Sequence, residues 1–239
     1  MGALAATAPV EAALAITDWR GVFTILALLT VGVAAIIFLV IPERPPSGEA
    51  QGRELGLGEQ IRGIGAVLGS MTFWRIAPWT ALSQATLMSI QGLWAGPWLR
   101  EVAGLDHARA AGVLFWTAVA MVAGFILLGA AAERLNRRGV PPMAVAGGGM
   151  GAFMAVLMAI ILSCFVQAPG LAGPLLSPGS TGLWILFGFF GTSGILPYAI
   201  LTQRFPSHLA GRVNTALNLL VFVAAFASQW GIGAIIQGA

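Results

Sequence analysis

The chain has 239 residues, of which 58% are hydrophobic and 9% charged, and its mean hydropathy is +0.88. A soluble domain usually carries about 25% charged residues, so a chain this apolar has little surface to offer water and the bilayer is its solvent. The net charge of +3 comes from scattered arginines with no basic face and no aromatic platform, which excludes nucleic acid as a partner.

The single cysteine, Cys164, lies in an apolar run and reads as a buried structural thiol, with no intrachain disulfide open to it. Residues 1–17 lack the basic start of a cleavable signal peptide. No His-Glu-x-x-His, phosphate loop or pair of intramembrane aspartates is written in the chain, so no enzyme, metal site or cofactor is expected. The Gly147-Gly-Gly-x-Gly151 run lacks a nucleotide-loop lysine and reads as a helix-packing surface.

Residues 1–17 are apolar but too short to span, since a span needs about 20 residues. They form either an interfacial tail or the end of a helix whose start is missing. Residues 18–42 follow, with Trp19 and Arg20 suited to the headgroup region and a charge-free run up to Pro42. Residues 43–73 form a polar, Gly-rich linker. Within it Ile61, Ile64 and Leu68 recur at helical spacing, which predicts a short amphipathic helix on the membrane surface in an otherwise solvated connector.

Residues 74–239 hold the remaining spans. The first is predicted over Ile76–Leu99, with Trp98 as an interfacial belt residue, and the next over about 110–132. Residues 139–203 contain no charge, and the Pro/Gly-rich piece 168–179 divides them into helices near 143–167 and 181–203. The last span runs over about 213–237. Six full spans and a partial one make an all-α, polytopic transmembrane bundle.

Counted on alternate sides, nine arginines flank the loops 43–73, 133–142 and 203–212, against three on the other side. This asymmetry places those three loops in the cytoplasm. The densest charge is Gly129-Ala-Ala-Ala-Glu-Arg-Leu-Asn-Arg-Arg-Gly139. It resembles the loop motif Gly-x-x-x-Asp-Arg-x-Gly-Arg-Arg of the major facilitator superfamily of transporters. Gly129, Glu133, Arg134, Arg137 and Arg138 fall on matching positions, while Glu133 replaces the aspartate and Asn136 the inner glycine. The Trp19-Arg20-x-x-Phe23 entrance resembles the start of that family's sixth helix.

The resemblance implies the C-terminal portion of a bacterial inner-membrane transporter, from the end of helix five through helix eleven. Its partners would be a small solute, the lipid bilayer and a missing N-terminal half. It also implies that the charged motif latches one conformation; by topology alone the same arginines need only set orientation. A facilitator-like sensor or an inactive fragment are the competing readings.

Polar residues inside spans are the guide to a substrate site, because no charged residue lies deep in any of them. Thr80, Gln84, Gln91 and Trp98 fall within about 40° of one line at 100° per residue. Two glutamines on one face serve either interhelical hydrogen bonding or a cavity wall, and the resemblance, which makes this the cavity-lining seventh helix, favours the wall. Trp94 reads equally as belt or cavity. Trp184, Gly188, Gly191, Ile195, Tyr198 and Thr202 form a second stripe, with Pro197 expected to kink the helix. Asn214 and Asn218 share a face one turn apart. The candidate substrate-binding residues are therefore Gln84, Gln91, Trp94, Tyr198, Asn214 and Asn218.

Overall fold

The computed structural model describes residues 10, 13–14, 16–40, 57–165, 177 and 179–238. Most of the partial span at 1–17, the linker up to residue 56 and most of the Pro/Gly-rich piece near 168–179 lie outside the described residues. Among the described residues every element is helical.

Helix α1, Trp19–Val40, is capped by Asp18, whose Oδ1 accepts from Gly21 N–H at 2.9 Å. A side-chain acceptor there satisfies one of the orphan donors of the first turn. Val22 is the one buried residue of α1, which makes no substantial contact with another element among the described residues. Helix α2, Leu57–Leu68, is the amphipathic helix of the linker. It docks on the bundle by Gly63 and Val67, while Ile61, Ile64 and Leu68 face outward.

Helix α3, Met71–Ser89, continues through a π turn, Ile90–Trp94, into α4, Ala95–Glu101. Pro97 accounts for the irregularity: it has no N–H to give the carbonyl of Leu93, and such a gap is commonly absorbed by a widened turn. Helix α5, His107–Arg137, starts at Asp106, whose Oδ1 accepts from Arg109 N–H at 2.9 Å. It ends at Gly139 (φ +87°), where Val140 N–H bonds Leu135 O and Gly139 N–H bonds Asn136 O. This is the Schellman arrangement, in which glycine takes the left-handed position without a Cβ penalty.

Helix α6 covers Pro142–Ser163. Helix α7, Thr181–Gly191, passes through a 3₁₀ turn, Thr192–Ile195, into α8, Leu196–Gln203. The kink expected at Pro197 takes this form: Pro197 cannot bond Ser193 O, and the Leu196 N–H takes that carbonyl instead. A short 3₁₀ turn, Ser207–Leu209, leads into α9, Ala210–Gly238.

Among the described residues five stretches are long and apolar enough to cross a membrane: α1, α5, α6, α7–α8 and the run Ser207–Gly238. The sixth predicted span is the more polar, interrupted α3–α4. The protein is an all-α, multi-pass membrane bundle.

Two close pairs of parallel helices build it. Along α5 and α7, Leu105 meets Gly179, Thr117 meets Gly188, and Gly124 meets Thr192. Along α3–α4 and α9, Ile76 clusters with Val213, Ser89 Oγ donates to Ala225 O at 3.2 Å, and Trp94 meets Gly233. Helix α6 packs antiparallel to α7, with Phe153 on Phe187 at 5.2 Å between rings. One core cluster holds Leu99, Phe153, Trp184 and Phe187; another, at the end where α3 and α9 begin and α8 finishes, holds Val67, Phe73, Leu201 and Val213. Arg75, Arg204 and Arg212 all flank that end.

Candidate functional site

The site begins with Gln84 on α3. Its Nε2 is buried without a hydrogen-bond partner and lies over Gly194, where an added methyl would stand 2.6 Å away. Gly194 belongs to the 3₁₀ turn ahead of Pro197, and this turn is clasped from three sides. Thr192 packs on Gly124 of α5, Ser193 on Gly149 of α6, and Gly194 beneath Gln84. Each contact runs through a glycine, because removal of the Cβ lets backbones approach where lipid gives no hydrophobic drive to association. Ser193 is fully buried and its Oγ has no partner.

One turn beyond Gly194, the Tyr198 hydroxyl donates to Asn218 Oδ1 at 2.9 Å, joining α8 to α9. Tyr198 is half-buried and Asn218 exposed. Asn214 is exposed one turn before Asn218 and takes no part in that bond. The shared face of the two asparagines thus carries a bond across helices through Asn218 alone.

Gln91 and Trp94 stand elsewhere. Gln91 Oε1 and Trp94 Nε1 are both buried and unpartnered, and Trp94 packs on Gly233. Gly233 is fifteen residues beyond Asn218, about 22 Å along α9. Gln84, Tyr198 and Asn218 therefore lie at one level, and Gln91 and Trp94 nearer the other end.

Trp98 is half-buried: its ring lies 5.6 Å from that of Trp184 and packs against the first core cluster. The π turn is the reason: it takes in one extra residue, so positions beyond it are displaced by about 100° from uninterrupted α spacing. The stripe on α7 also changes meaning. Gly188 lies against the Thr117 carbonyl and Gly191 against Leu87, while Ile195 is exposed because the 3₁₀ turn shifts the register. Of the four glycines in the 147–151 run, Gly149 alone carries a close contact. The unpartnered polar atoms of Ser83, Ser193 and Trp184 were not foreseen. Pro197 was the available signal for Ser193, since it leaves that residue's carbonyl without an α-helical donor.

The charged motif is mostly helix. Gly129, Glu133, Arg134 and Arg137 lie on the last turns of α5, and the connection itself is Arg138–Pro141. Glu133 pairs with Arg137 one turn on, both exposed. An acidic side chain near a helix C-terminus is disfavoured by the macrodipole, and the adjacent guanidinium offsets this. Ala130, Glu133, Arg134 and Arg137 line a shallow depression of about 370 Å³.

A separate groove of about 310 Å³ runs between α3 and α6, lined by Trp79, Leu82, Ser83, Met150 and Met154 among others. None of the six candidate substrate residues lines it.

No curated protein and no solved structure matches the chain. The sequence pattern of the Major Facilitator Superfamily matches residues 1–229. A multi-pass helical bundle with that match over nearly its whole length belongs to the Major Facilitator Superfamily of membrane transporters.

Proposed function

We propose that this chain is the C-terminal portion of a secondary transporter that moves a small solute across the bacterial inner membrane by alternating access. In such a mechanism two helical halves rock around a midplane site. The observation that carries the reading is the set of polar groups on interior helices without ionised partners. Gln84 lies over the 3₁₀ turn, and Tyr198 bonds Asn218 one turn away. Buried amide and hydroxyl groups without partners are costly, and a solute that hydrogen-bonds them would offset that cost.

The lining is uncharged, so the substrate class is a neutral or weakly polar solute. Gln84, Tyr198, Asn214 and Asn218 form the inner contact set, with Gln91 and Trp94 toward the opposite mouth. The loops 43–73, 133–142 and 203–212 face the cytoplasm, and the Glu133–Arg137 segment sets the balance between conformations. The test is uptake of a panel of radiolabelled uncharged solutes into vesicles carrying the complete transporter. Gln84→Ala and Tyr198→Phe are expected to raise the half-saturating concentration at least about tenfold, the effect of one lost hydrogen bond of about 1.4 kcal/mol. Unchanged uptake and affinity in both variants would remove these residues from the site.

A further inference from the structure

We draw no further inference here: the strongest candidate, the apolar groove between α3 and α6 lined by Trp79, Leu82, Ser83, Met150 and Met154, carries nothing because nothing among the described residues shows what covers it.

Discussion

Helix α1, whose one charge is Arg20 in its first turn, and the charge-free α7–α8 stretch are both long enough to span, yet they are held in opposite ways. The mean hydropathy of α1 is 2.8 and 6% of its apolar stretch is buried; for Thr181–Gln203 the figures are 1.6 and 44%. Among the described residues the more apolar helix is the one that packs less. Transfer of apolar surface selects which segments enter the bilayer, but lipid tails are as apolar as leucine, so transfer does not select which helices associate. Association follows from glycines, small hydroxyls and aromatic rings, and α7–α8 holds Gly188, Gly191, Thr192, Ser193 and Gly194 in one interior stretch.

The largest effect that tests this contrast comes from a pair of tryptophans. Trp184 is 2% exposed and packs between the rings of Trp98 and Phe187, whereas Trp19 is 59% exposed. Trp184→Ala is expected to cost about 3–5 kcal/mol, and Trp19→Ala within about 0.5 kcal/mol, both read from reversible unfolding in mixed micelles. Equal costs would mean that hydropathy, and not packing, holds α7 in place.

Glycines give a smaller and sharper version. A methyl at Gly188 meets the Thr117 carbonyl and lies 3.0 Å from Thr117 Cγ2, while one at Gly32 of α1 meets nothing within 4 Å. Gly188→Ala is expected to destabilise by about 1–3 kcal/mol because backbone cannot yield. Gly32→Ala should stabilise α1 slightly, by up to about 1 kcal/mol through helix propensity. A thermal shift of the same sign in both variants would count against the contrast.

The smallest effect belongs to the exposed charged end of α5. Removal of the Glu133–Arg137 pair by Glu133→Gln is expected to change stability by no more than about 0.5 kcal/mol. If this segment biases the transport cycle, uptake should fall while the unfolding temperature stays unchanged. Loss of both together would make the pair structural.

Much of the fold was legible because charge is so scarce. Runs without charge marked each span, and Pro197 marked the irregularity between α7 and α8. Helix ends were less legible: α3 and α5 extend past their apolar runs to include Arg75, Glu133 and Arg137. A helix continues into water wherever its backbone bonds are satisfied, and on α5 the stop came from Gly139, not from the first charge. The π turn before Pro97 was not legible, and with it went the placement of Trp98. The candidate site was legible as a set of polar residues but not as contacts. Tyr198 and Asn218 are on different helices, and no periodicity within either one pairs them.

The sequence by itself determined that the chain lives in a membrane, how many apolar runs it has, which loops carry the arginines, and the family resemblance in the charged motif. Those are properties of composition and order along one dimension, and transfer free energy reads them directly. Tertiary structure decided that the 3₁₀ turn is clasped by Gly124, Gly149 and Gln84, and that Tyr198 bonds Asn218. These depend on which helix faces meet, which is set by sub-ångström fits among small residues and irregular turns. The charged motif likewise marked the family from its residues alone, and the fold showed that the helix runs on through it to Arg137.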